Sequence, residues 1–240
     1  MQSECVQYDQ RDGVATIRID DGKSNALSPL VLRELNRAFE HAEADRAIVI
    51  LTGRESVFSA GFDLKVMQRG GTQALRMLGA GYALTARILS YPHPVIAACN
   101  GHSLAMGVFL MLSADCIVGT RGDFRIAANE VAIGLTLPRV AAAMLRHRLN
   151  PAAFQRAATL SKYFDVDAAL AAGFFDELVE STELIPRAHD LAREFGNLDP
   201  LAHKTTKRRI RAALIRKIRW SIPLDLVDAT LIGLRRARQR

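Results

Sequence analysis

The sequence predicts an α/β fold in which short buried strands alternate with helices, and three observations predict it. Apolar runs of strand length, residues 46–51 and 95–99, are bounded by turn residues and lie between stretches of helical periodicity. Two glycine-bearing stretches each follow such a run and lead into a helix. They are Phe58-Ser59-Ala60-Gly61-Phe62-Asp63-Leu64-Lys65 and Asn100-Gly101-His102-Ser103-Leu104-Ala105-Met106-Gly107. Beyond residue 182 the pattern is helical only. An α/β core over residues 1–190 and a basic helical region over 191–240 follow from this. A strand-to-helix turn leaves backbone N–H groups unpaired at the positive end of a helix dipole. Two such turns side by side make a pocket for a developing oxyanion.

The elements follow in order. Residues 4–20 alternate, with Val14, Ile17 and Ile19 among polar neighbours and Asp12-Gly13 between two runs, which predicts a hairpin. Residues 20–25 form a turn-rich loop. Ser28-Pro29 is an N-cap with a first helical proline, and Leu32, Leu35, Phe39 and Ala42 give that helix its apolar stripe. After the strand at 46–51 comes the first glycine turn, with Asp63 placed to cap the next helix. Gly70-Gly71 breaks the chain, and a helix over 72–91 carries Leu75, Leu78, Tyr82, Ala86 and Leu89. The second glycine turn opens a helix over 107–114 that is apolar nearly all round and so belongs in the core. Asp115 ends it, and residues 116–118 form a strand. Helices over 138–149, 151–160 and 167–172, a short strand after Gly173, and a helical tail kinked at Ile222-Pro223 complete the chain.

Composition narrows the function. At 240 residues the chain can bury a full core. No apolar run reaches the roughly 18–20 residues of a membrane span, and neither end reads as a targeting signal. A cytoplasmic location is expected. Cys5, Cys99 and Cys116 are far apart and lack metal-ligand spacing, so free thiols in a reducing compartment and no metal are expected. From Lys204 onward 12 Lys and Arg face two acids, a local charge of +10 within a total of +7. Ile210, Ala213, Leu214 and Ile218 lie at helical spacing in that block. A solvated helix face and an anion site both remain open for it.

Gly-x-Ser-x-Gly, a P-loop and a dinucleotide fingerprint are all absent. His102-Ser103 are neighbours in sequence, which does not make them a base and a nucleophile. Asp63 and Asp115 lie near the proposed pocket, and each also suits a structural role at a helix end. Glu130 is the one acid in the apolar stretch after Phe124. Ala127, Ala128, Val131 and Ile133 would desolvate it and raise its pKa, making it a candidate general base. A solvated loop carboxylate is the other reading. An oxyanion pocket with one isolated carboxylate suits proton abstraction beside a thioester or other activated carbonyl.

At this point the sequence resembles the enoyl-CoA hydratase/isomerase (crotonase) superfamily. The carriers are Asn25-Ala26-Leu27-Ser28, residues 58–65, Pro94-Val-Ile-Ala-Ala-Cys-Asn-Gly101 and Ser113-Ala-Asp115, in this order and spacing, over about residues 6–180. The resemblance implies a spiral of ββα units and a helical C-terminal region used in trimerisation, giving a homotrimer or a dimer of trimers. It implies an acyl-CoA substrate, no other cofactor, and an oxyanion hole from the backbone N–H groups of Phe62 and Met106. Met106 stands where many members have glycine.

Hydratases of the family use two glutamates. The first falls at Phe109, which cannot position water, and the second at Glu130. In this the sequence is nearer the 3,2-trans-enoyl-CoA isomerases, which keep only the second. Phe124 lies six residues before Glu130 and Gly134 four before Pro138, both isomerase-like gaps. The resemblance places Lys23, Asn25, Ala26, Ala60, Phe62, Asp63, Leu64 and Lys65 around the substrate and its phosphates. Phe62, Met67, Leu104, Met106 and Phe109 fall along the acyl pocket, and Lys204 or Lys207 are further candidates for phosphate. Three other readings stay open: a hydratase or another crotonase-type reaction, a non-catalytic acyl-CoA binder, and an RNA-binding member. Against the last, the tail offers only Trp220 for stacking.

Overall fold

The computed structural model describes residues 5–238; the expected strand start at Glu4 and the chain end at Gln239-Arg240 lie outside them. β1 (Val6–Arg11) and β2 (Val14–Ile19) form the hairpin about Asp12-Gly13, with both turn residues at positive φ as a tight hairpin turn requires. β3 (Ala26–Leu27) leads to α1 (Pro29–Ala44), whose first turn is capped by Ser28 Oγ accepting the Val31 N–H. β4 (Ile48–Thr52), β5 (Ser56–Ser59) and β6 (Gly61–Phe62) precede α2 (Leu64–Arg69), α3 (Gly71–Ser90), β7 (Val95–Cys99) and β8 (Gly101–Leu104). Then come α4 (Met106–Met111), β9 (Cys116–Thr120), β10 (Ile126–Ala127), α5 (Arg139–Arg148), α6 (Pro151–Leu160) and α7 (Val166–Ala172). β11 (Glu177–Val179), α8 (Leu184–Gly196) and α9 (Pro200–Arg238) complete the described chain.

The main sheet runs β1-β2-β4-β7-β9-β11, parallel except for the opening hairpin. Both its faces are covered, which explains why β4 and β7 read as unbroken apolar runs. Ile48, Ile50, Ile96, Ala98 and Val118 pack under Leu184, Ala188 and Leu191 of α8. The alternate residues Val49, Leu51, Ala97 and Ile117 join the larger core with α1 and α3. Residue 190 thus falls inside a helix that covers the sheet. A second parallel sheet, β10-β8-β5, and the short pair β3-β6 lie apart from the first.

Two expectations about helices need correction. The core helix ends at Met111 rather than 114, because Leu112 to Ala114 turn the chain back into β9. On α9, Ile218 is buried but Ile210 is 71% exposed and Ala213 is exposed as well. Leu214 packs against the core as expected, and the inward face also carries Ile215, Lys207 and Arg211, the two cations meeting Asp115. Pro223, where a kink is expected, lies inside the span of α9. No described helix is long and apolar enough to cross a membrane.

Candidate active site

The three-stranded parallel sheet brings the site together. β8 pairs with β10 at Ser103–Ile126 and Leu104–Ala127, and with β5 at Ser59–Ser103. Because the strands are parallel, the segments that leave them, 60–65, 105–107 and 128–130, emerge at one edge. Two backbone bonds hold the register there, Ser103 N–H to Arg125 O at 3.1 Å and Ala105 N–H to Ala127 O at 2.8 Å. The two glycine turns are in backbone contact. A Cβ on Gly61, which sits at φ 89°, would lie 2.9 Å from Leu104 O and 3.1 Å from Met106 N; one on Gly107 would lie 2.4 Å from Ser59 O. Only glycine permits either approach. Met106 is the first residue of α4, so its N–H has no acceptor within the helix.

Glu130 lies just before a single 3₁₀ turn, and its carbonyl accepts the N–H groups of Ile133 and Leu135 at 3.2 and 2.8 Å. Its side chain is buried, and Oε2 has no hydrogen-bond partner. Burial pushes the carboxyl up from 4.5 to about 7, opposed only by a bond from its own backbone N–H. The shielding differs from the expectation. Ala127 and Ala128 are buried beside it, but Val131 and Ile133 are 43% and 46% exposed and turn outward with the 3₁₀ turn. Tyr82 of α3 lies within electrostatic reach of Glu130. An unpaired buried carboxylate oxygen is costly, and such groups cluster at functional sites.

The loop 20–26 and the segment 60–65 meet through β3 and β6, with Ala26 opposite Gly61 and Ala60 N–H on Ser24 O at 3.0 Å. Lys23, Leu64 and Lys65 are exposed on this rim. Asp63 caps α2 by accepting the Lys65 and Val66 N–H groups. Asn25 is fully buried and leaves nothing for a ligand. Its Nδ2 donates to the carbonyls of Ile19, Val57 and Phe58, and its Oδ1 accepts the Asp21 N–H. It is a latch between the entrance loop and β5. Asn25→Ala is expected to cost about 2–3 kcal/mol, lowering Tm by roughly 5–10 °C. A melting curve within about 2 °C of wild type would show the latch to be dispensable.

Phe62 is half-buried, while Met106 and Phe109 are fully buried, Phe109 within the core. Leu104, half-buried, lines an open cleft of about 500 Å³ with His102, Asp123, Arg125 and Tyr163. His102 Nδ1 accepts the Arg125 N–H at 3.0 Å, a loop role. Lys207 is not free for phosphate, since its Nζ donates to Asp115 Oδ2 at 2.6 Å and to His93 O at 3.1 Å. Lys204 is exposed on the same helix. Cys99 is buried and its thiol pushed up to about 12; Cys116, half-buried, is pushed up to about 11. Among the described residues no cluster of His, Cys, Asp and Glu is placed to hold a metal ion.

Three residues of this region have a place at the site that the sequence does not assign: Gly81 of α3, Tyr82 of α3, which reads only as part of an apolar stripe, and Asp225 of α9. Tyr82 packs edge-on against the Phe62 ring, 5.8 Å between centroids at 77°. Burial first, then Asp225 and Glu130, raise its hydroxyl's pKa. Asp225 accepts the N–H groups of Arg139 and Val140 at 3.0 Å each and so caps α5. The available signal was Gly79 and Gly81 in a helix interior, where glycine costs stability and needs a packing reason.

Comparison with known proteins gives a consistent result. Carnitinyl-CoA dehydratase of Citrobacter koseri is 29% identical over 88% of this chain and 81% of its own. A solved structure described as a probable enoyl-CoA hydratase of Mycobacterium tuberculosis is 42% identical, covers 98% of both chains and superposes with a TM-score of 0.91. A second solved structure of that same M. tuberculosis protein, described as an enoyl-CoA isomerase, is 43% identical over 92% of this chain and 97% of that one, with a TM-score of 0.88. The family model for enoyl-CoA hydratase/isomerase matches residues 9–223. With this crotonase-type fold, the chain belongs to the enoyl-CoA hydratase/isomerase family.

Proposed function

We propose that the protein converts 3-enoyl-CoA thioesters to trans-2-enoyl-CoA thioesters. The observation that carries this reading is Glu130, among the described residues the buried carboxyl with an unpaired oxygen, on the same sheet edge as the backbone of Phe62 and Met106. Glu130 takes a proton from the α-carbon, and the electron pair left behind delocalises onto the thioester oxygen. The N–H groups of Phe62 and Met106 stabilise that dienolate oxygen. The protonated Glu130 then returns the same proton to the γ-carbon, shifting the double bond. A carboxyl held near 7 suits both halves of this exchange.

Hydration needs a second acid to position water. Phe109 offers none, and the nearby Asp225 is occupied at the start of α5. The M. tuberculosis relative carries both descriptions, isomerase and probable hydratase; the first agrees with this reading, while the second and the dehydratase relative point to water chemistry. Lys23 and Lys65 on the rim supply positive charge for the phosphates of CoA. From the resemblance, the enzyme works as a homotrimer or dimer of trimers. The test is a spectrophotometric assay with trans-3-hexenoyl-CoA, beside hydration of crotonyl-CoA. Appearance of the conjugated thioester at a rate well above hydration is expected. Hydration without isomerisation would overturn the isomerase reading in favour of a hydratase, and binding without turnover would leave an acyl-CoA carrier.

A further inference from the structure

Phe62 and Met106 come from separate turns, yet their side chains converge on one point of α3. At Gly81 a Cβ would lie 2.5 Å and 2.6 Å from Cε1 and Cζ of Phe62 and 3.4 Å from Cε of Met106. The Phe62 ring therefore fills the space that a side chain on Gly81 would need. The next residue, Tyr82, closes the ring's other side edge-on at 5.8 Å. Gly81 and Tyr82 are themselves buried, and α3 is anchored to the C-terminal helix, where Leu226 Cδ1 would lie 3.5 Å from a Cβ on Gly79.

We infer that Gly81 and Tyr82 are positioning residues: they form a seat on α3 that fixes where the Phe62 peptide stands relative to the Met106 peptide. This rests on the reading of those two N–H groups as donors to the thioester oxygen. A methyl at Gly81 lies under 3.0 Å from an aromatic ring, so the ring must move. The ring joins the Phe62 nitrogen through Cβ and Cα, so a displacement that its χ rotations do not absorb, with Tyr82 packed against the ring, carries the donor with it. A shift of a few tenths of an ångström weakens a hydrogen bond that matters most when charge develops on the oxygen. The effect should therefore fall on kcat rather than on KM.

The test uses the full chain and hexanoyl-CoA labelled with ¹³C at the carbonyl, with the thioester C=O stretch read by difference infrared spectroscopy. Wild type is expected to lower the stretch of the bound ligand relative to water. Gly81→Ala should return it toward the aqueous value and cut kcat roughly 10- to 100-fold with KM within about threefold of wild type. Tyr82→Leu should do the same more weakly, and Tyr82→Phe, which keeps the ring edge, should recover most of that loss. In a Phe62→Ala background the seat is empty, so Gly81→Ala should add little, a non-additivity that general destabilisation would not give. A bound-ligand stretch identical in wild type and Gly81→Ala, or fully additive losses in the double variant, would overturn the inference. Wild type that binds but leaves the stretch at its aqueous value would instead overturn the reading of Phe62 and Met106 as the oxyanion donors. An unfolded Gly81→Ala leaves Tyr82→Leu against Tyr82→Phe to decide.

Discussion

Glu130→Gln is expected to abolish isomerisation and to make the protein more stable at the same time. The loss should be roughly 10²–10⁴-fold in kcat/KM, the range for a general acid–base group, and near its upper end because one carboxyl serves both proton transfers. The gain in stability follows from linkage. The carboxyl stands at about 7 against an ordinary 4.5, so between those values the folded chain holds a proton that the unfolded chain has lost. Stability then falls as pH rises through that window, by about 3 kcal/mol in all, and the whole cost is present above pH 7. Glutamine carries no such charge. Urea unfolding at about pH 8 should place the variant above wild type by an amount of that order, and the difference should vanish near pH 4. The wild-type rate supplies the matching check. Abstraction needs the carboxylate, so kcat/KM should drop about tenfold per pH unit below 7, and the variant's residual rate should lack that slope. A Gln variant that keeps a tenth of the activity, or gains no stability at pH 8, would remove Glu130 from the role assigned to it.

The parts of this molecule that were legible in the sequence are those whose causes are local or periodic. Ser28-Pro29 and Asp63 begin their helices because capping depends on a few neighbouring residues. β4 and β7 were readable because a strand covered on both faces carries no polar interruption. The glycine turns at 61 and 107 were readable for the same kind of reason, since each demands a close backbone approach. What stayed hidden depends on pairings across the fold. Glu130 is buried even though two of its sequence neighbours point outward. Asn25 looked like a ligand contact, and its side-chain amide is instead consumed by carbonyls of β2 and β5. The inward face of α9 could not be found from apolar spacing, because two of its buried residues are cations whose partner lies 92 positions away in the case of Lys207.

That partner, Asp115, carries the second large prediction. Its Oδ2 accepts from Lys207 Nζ at 2.6 Å and from the Val95 N–H at 2.8 Å, and its Oδ1 faces Arg211 Nη1 at 3.0 Å. Lys207 is completed by His93 O, and Arg211 by Ala114 O at 3.0 Å. The triad fastens α9 where α4 gives way to β9. Asp115→Ala would leave two buried cations facing only carbonyls, which costs about 3–5 kcal/mol and should lower Tm by roughly 10 °C in a chain of this size. Lys207→Met should cost clearly less, because Asp115 keeps Arg211 and the Val95 N–H while the apolar stem is retained. The pH dependence has a definite sign. Burial, opposed by Asp115, lowers Lys207 from 10.5 to about 8, so between these values the unfolded chain binds the extra proton and stability rises with pH. Without Asp115 the ammonium loses its counter-charge and sheds its proton at still lower pH. The deficit of Asp115→Ala should therefore shrink between pH 7 and about pH 9. The same variants test the placement of Lys207 inside the fold. Lys207→Met should leave acyl-CoA affinity unchanged, whereas Lys23→Ala on the exposed rim should weaken it in a salt-dependent way. An Asp115→Ala protein that melts within about 2 °C of wild type would show that packing, rather than this triad, holds the last helix in place.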